Sequence, residues 1–179
     1  MARDRPGAKR TRKTKPVRSS VDMPPFVVPI LAALGCLAAL SIGSALTRPN
    51  LDWYATLAKP GFTPPNSVFP VAWTILYMLS ALAAWFVWHA PGKESDHTLA
   101  MIWFFIQLVV GVLWSVAFFW LHSPALGLGV IMAFLIAIAI TIVLFDRLSR
   151  VASLLLIPLL LWVSFAAGLN FAILFLNSR

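Results

Sequence analysis

Five apolar runs divide this chain, each more than 20 residues long and each bounded by short polar segments: residues 26–46, 68–89, 98–121, 124–145 and 151–176. A helix needs about 20 apolar residues to cross a hydrocarbon core of roughly 30 Å. The acids Asp4, Asp22, Asp52, Glu94, Asp96 and Asp146 all fall outside the runs. In lipid, each run must satisfy its own backbone hydrogen bonds, which a helix does. The pattern predicts an all-α membrane protein, a five-transmembrane-helix bundle with a long loop between helices one and two.

Within the runs, several spacings place residues on shared faces. Gly35, Ala39 and Gly43 recur every four residues on the first. Small residues at that spacing admit another helix closely, either inside the bundle or across a dimer. Gln107, Gly111, Trp114 and Phe118 share a face of the third span, and Pro158, Trp162, Ala166 and Asn170 form a slanting stripe on the fifth. Pro158 is expected to kink its helix. Cys36 is the lone cysteine, read as a small packing residue.

The longest connection, residues 47–66, breaks the rhythm of short turns. Arg48 and Pro49 are expected to end the first helix. Asn50 or Asp52 would cap a short helix over 53–58, which Lys59 and Pro60 terminate. Pro64 and Pro65 stiffen the approach to the second span. A loop of this length in an otherwise tightly connected bundle points to function.

Composition agrees with the pattern: 60% of the 179 residues are hydrophobic and 11% charged, far from the balance of a soluble domain. Residues 1–24 are read as a basic, disordered cytoplasmic tail with eight cations before residue 20, ahead of a membrane domain over 25–179. A nucleic-acid arm and a secretory signal are weaker readings of that tail than an orienting segment that touches anionic lipid, and no nucleic-acid partner is expected. Five spans put the termini on opposite sides. With the N-terminus inside, the tail's cations join Lys93, Arg147 and Arg150, against Arg48, Lys59 and Arg179 outside. The bias favours a cytoplasmic N-terminus and an outward C-terminus.

Candidate chemistry is sparse. His89, His97 and His122 sit at span ends without acid or cysteine at ligand spacing, so no metal site is read, and His97 is read as part of a solvated turn. No embedded carboxylate pair suggests a proton relay. What remains is aromatic: of eight tryptophans, Trp73, Trp114 and Trp162 lie inside spans, on faces that also carry Tyr77, Gln107 and Asn170. An aromatic pocket with few polar groups holds flat apolar ligands.

These residues bring a resemblance into view. Trp53-Tyr54, Leu57, Lys59-Pro60, Pro64-Pro65, Phe69, Trp73 and Leu76-Tyr77 resemble the signature of the TspO/MBR family, the tryptophan-rich sensory proteins and translocator proteins. Gln107-Leu108, Trp114-Ser115 and Phe118-Phe119 extend it, as do Pro158, Trp162, Phe165-Ala166, Leu169-Asn170 and Asn177. The resemblance covers about residues 30–177. It implies a five-helix homodimer in a bacterial membrane, with no required cofactor. Its pocket would bind porphyrin (protoporphyrin IX or haem), lined by Tyr54, Trp73, Tyr77, Trp114, Phe118, Trp162, Ala166 and Asn170. Trp53, Lys59, Pro60, Pro64 and Pro65 would form its lid.

The implied function is a sensor or regulator of tetrapyrrole metabolism. Alternatives are a light-dependent enzyme that degrades protoporphyrin IX, with Trp73 and Trp162 as its catalytic residues, and a transporter of porphyrins or other apolar ligands. The chain departs from the family at Ser67, Gly111, Leu159 and Gly168, where the family usually carries an aromatic, an asparagine and two tyrosines respectively. Residues 169–179 lack the tyrosine of a sterol-recognition pattern.

Overall fold

The computed structural model describes Pro24 and residues 26–178, all helix and connection. The expectation for the basic tail otherwise lies outside the described residues. Helix α1 covers Val27–Thr47, α2 Leu51–Thr56, α3 Val68–Trp88, α4 Glu94–Ser115, α5 Pro124–Asp146 and α6 Arg150–Asn177. A 3₁₀ turn, Arg48–Asn50, joins α1 to α2, and a π-helical segment, Val116–Trp120, prolongs α4. The five long helices are each long and apolar enough to span a membrane.

Local chemistry fixes the helix ends. The Ser123 and Ser149 side chains accept from the amides of Leu126 and Ala152, each at 3.3 Å, and so cap α5 and α6. Pro124 opens α5, where its missing N–H costs nothing. Glu94 and Asp96 occupy the first turn of α4, favourable for the helix dipole. Inside the apolar helices, the hydroxyls of Ser80, Thr141 and Ser164 fold back onto carbonyls four residues earlier, at 2.8 Å. That bond keeps them satisfied without water.

The long helices form a closed ring in the order α1, α3, α6, α5, α4. The outward face is greasy: Leu34, Leu37, Val71, Met78, Val109, Ile136 and Leu161 are all exposed, as a bilayer solvent permits. Gly35 and Gly43 face α4. A Cβ on Gly35 would lie 3.1 Å from Phe105 and 3.2 Å from Leu108, and one on Gly43 would lie 3.5 Å from the Ser115 hydroxyl. The small-residue stripe therefore serves packing within the bundle. Cys36 is buried in the core.

Several expectations are corrected. Helix α1 does end where expected, with Arg48 at its C-cap, but the 3₁₀ turn Arg48–Asn50 leads straight into α2. The short helix lies two residues earlier than expected, and neither Asn50 nor Asp52 caps it by its side chain. Asn50 instead donates to the Leu46 carbonyl at 2.8 Å and meets His122 Nε2 at 2.7 Å. Pro158 lies inside α6 as expected, and the helix continues on both sides of it. His97 is no solvated turn residue: it is buried edge-on to Trp88, with ring centroids 6.0 Å apart.

Candidate functional site

At the loop end of the ring lies a cavity of about 450 Å³. That volume falls within the roughly 300–1,000 Å³ of small-molecule sites. Its walls come from α1, α3, α4 with its π-helical extension, and α6; α2 roofs it, and α5 contributes nothing.

The aromatic lining is continuous. Trp73 stacks on Tyr77 with centroids 5.7 Å apart and 27° between planes, and it approaches Trp114 at 6.3 Å. Trp114 stacks on Phe118 at 5.7 Å and 26°. From the roof, Tyr54 meets Phe118 at 6.3 Å and Phe119 at 5.9 Å. The π-helical segment makes this possible. Its wider turn, closed by the Leu121 amide on the Val116 carbonyl at 2.9 Å, lets consecutive residues Phe118 and Phe119 both bury inward. The backbone then reverses at His122, where φ is 50°.

Of the polar side chains in the walls, Thr74, Trp114 and Asn170 carry hydrogen bonds within the protein. The Trp114 indole N–H donates to Asn170 Oδ1 at 3.2 Å, and Asn170 Nδ2 donates to the Pro124 carbonyl at 2.7 Å. Asn170 thereby ties α4, α5 and α6 at one point. Gln107, one turn beyond Gly111 on α4, is fully buried with neither amide atom partnered among the described residues. At the floor, a Cβ on Gly111 would meet Phe134 Cζ at 2.9 Å and the Tyr77 hydroxyl at 3.3 Å. The Phe134 ring thus packs against the backbone where a side chain at 111 would begin. Arg48 is the cation among the lining residues, and its guanidinium has no partner among the described residues.

The roof is tied to the bundle through Asn177 and His122, and Lys59 holds it together internally. Asn177 Oδ1 accepts from the Ala58 amide and Nδ2 donates to the Ala58 carbonyl, both at 3.0 Å. Lys59 Nζ donates to the carbonyls of Tyr54, Ala55 and Leu57 at 2.7, 3.3 and 3.0 Å, while lying 4.7 Å from the Tyr54 ring centroid. It closes the C-terminal end of α2, where orphan carbonyls favour a cation. On the far side, Trp53 stacks on His122 at 4.4 Å.

Of the expected ligand-binding residues, Tyr54, Trp73, Tyr77, Trp114, Phe118, Ala166 and Asn170 all line the cavity. Trp162 does not. It packs edge-on to Phe69 at 5.8 Å and tilted on Phe165 at 5.6 Å, and its indole N–H is buried without a partner among the described residues. Phe69 stands between it and the cavity. The expected lid residues Trp53, Lys59, Pro60, Pro64 and Pro65 do not line the cavity, and the Pro60 carbonyl accepts the Thr63 amide at 3.0 Å in a local turn. The residues that sequence reasoning missed are mainly on α1: Leu40, Gly43, Ser44 and Thr47. The hydroxyl-bearing positions Ser41, Ser44 and Thr47, within an otherwise apolar run, were the available signal.

The sequence profile of the TspO/MBR family matches residues 28–176. Tryptophan-rich protein TspO of Chlorobaculum tepidum is 43% identical over 143 residues, covering 79% of this chain and 90% of the relative. Its namesake in Archaeoglobus fulgidus is 42% identical over 150 residues, covering 83% and 96%. Human translocator protein is 29% identical over 143 residues, covering 79% and 82%. With the five-helix ring and its tryptophan-lined cavity, the match across nearly all the described residues establishes that this chain belongs to the TspO/MBR family.

Proposed function

We propose that this membrane protein binds a tetrapyrrole in the cavity beneath α2 and serves as a sensor or regulator of tetrapyrrole metabolism. The observation that carries the reading is the unbroken run of ring contacts Tyr77–Trp73–Trp114–Phe118 along one wall. A flat conjugated macrocycle gains offset stacking and apolar burial along such a wall. Arg48 supplies a cation for an acidic substituent. Lys59, consumed by three carbonyls, does not compete for that role.

Titration of the purified protein with protoporphyrin IX, followed by the porphyrin absorbance shift, tests this. Replacing Trp73 or Trp114 by Phe is expected to weaken binding by about fivefold, corresponding to roughly 1 kcal/mol of aromatic contact. Trp162→Phe should leave it near the wild-type value. Saturable binding that ignores both Trp73 and Trp114 would place the ligand elsewhere. An absence of saturable binding would end the tetrapyrrole reading.

A further inference from the structure

We propose that the cavity is loaded sideways from the bilayer, through a gap between the loop-side halves of α1 and α3, by molecules already dissolved in lipid. The proposal rests on the cavity being a ligand site, but not on that ligand being a tetrapyrrole.

Burial along the two helices is sharply uneven. Helix α1 buries Val28, Pro29, Ala32, Cys36 and Ala39, then nothing from Leu40 to Thr47. Helix α3 buries nothing from Val68 to Ile75, then Leu76, Tyr77 and four further residues toward Trp88. The helices run antiparallel, so their tight halves coincide at one end and their unburied halves at the other. Ser41 and Thr74 both line the cavity and are both exposed. Each lies six residues from its helix end at Thr47 or Val68. At 1.5 Å per residue, both are about 9 Å below the loop-side end of their helix. An opening at that depth faces acyl chains rather than water.

The chemistry of the gap suits such traffic. Gly43 and Ser44 line the cavity beside Ser41. The Thr74 hydroxyl is turned onto the Pro70 carbonyl at 2.8 Å, so its satisfied side chain presents little polarity to a passing apolar ligand. Arg48, exposed and unpartnered among the described residues, stands at the membrane-surface edge of the same gap. The fitting ligand class is a planar apolar molecule with an acidic group held near the interface. The roof, by contrast, is clasped to α6 through Asn177.

The test is cysteine labelling of the full chain in lipid nanodiscs. Cys36→Ser removes the native thiol, and Ser115→Cys places a reporter in the cavity wall. Two reagents are compared: an alkyl maleimide that partitions into lipid and a membrane-impermeant sulfonate thiosulfonate. The maleimide should label the reporter, and Ser41→Phe with Thr74→Phe should slow it at least tenfold. Ser41→Ala with Thr74→Ala should not slow it, and Asn177→Ala should leave the rate unchanged. Each Phe substitution is also measured singly, beside a thermal-unfolding trace, so that a misfolded pair does not pass for a blocked gap. The proposal is overturned if the impermeant reagent labels as fast as the maleimide, if Asn177→Ala accelerates labelling while the Phe substitutions do nothing, or if neither reagent reaches the reporter. Failure of porphyrin binding would leave this result standing.

Discussion

The Trp114 indole on α4 and the Asn170 side chain on α6 meet at 3.2 Å, and the same asparagine reaches Pro124 at the start of α5. Three of the five spanning helices thus share one amide, in a setting where an unpartnered polar group is costly. Asn170→Ala orphans the buried Trp114 indole N–H, while the Pro124 carbonyl stays an acceptor within the first turn of α5. A loss of about 1–3 kcal/mol is expected, read as a lowered midpoint of thermal unfolding in detergent. Asn170→Leu fills the volume without restoring either bond and should recover little. An unchanged midpoint for both variants would show that the tie carries no stability.

Asn177 serves the roof in the same way, pairing with both backbone groups of Ala58 and with the Ile173 carbonyl. Asn177→Ala removes all three bonds, and Asn177→Asp keeps an acceptor for the Ala58 amide while losing both donors. Hydrogen exchange at Ala58 should accelerate strongly in the first and by less in the second. Global unfolding should move little, since loop opening is a local event. Equal exchange in all three proteins would mean that the Asn177 clasp does not hold the loop.

The spans were legible because a bilayer leaves the chain few options: long uncharged runs must be helices, and their ends coincide with the polar residues. The wall was partly legible. Trp73 and Tyr77 stand one turn apart, and Trp114 and Phe118 do likewise, so spacing alone aligned them. Trp162 shows where spacing misleads. Eight residues before Asn170, it has rotated by about 80° around α6, enough to carry it out of the cavity and behind Phe69. The π-helical segment left no compositional mark, because widening one turn changes which residues face inward without changing what they are. The same is true of Asn50, a plausible cap by type that tertiary contact with His122 recruited instead.

Gly111 and Phe134 form a matched pair at the cavity floor. A Cβ at 111 would lie 2.9 Å from a ring that is 1% exposed and has little room to retreat. Gly111→Ala is therefore expected to destabilise by about 1–3 kcal/mol through overpacking. Phe134→Leu alone should also destabilise, by leaving a void. The double variant should be more stable than the sum of the two predicts. Thermal unfolding of all four proteins gives the coupling directly, and strict additivity would mean the contact is not tight.

Arg48 separates two ways in which the cavity could hold a porphyrin. Its guanidinium lies at the exposed edge of the lining, and no acid among the described residues pairs with it. If a porphyrin lies along Trp73 and Trp114 with an acidic edge toward the gap, Arg48→Gln removes a charge-assisted contact with its carboxylates. An exposed pair of this kind is worth about 1 kcal/mol or less, so affinity for the free diacid should fall by no more than about fivefold and the loss should shrink in high salt. The dimethyl ester of the same porphyrin, which has the same rings and no charge, should bind the wild type and Arg48→Gln alike. Parallel titrations of the acid and the ester distinguish this from a general loss of fold, which would weaken both. If Arg48→Gln leaves the affinity for the acid unchanged as well, the porphyrin does not present its carboxylates at the gap, and stacking alone holds it.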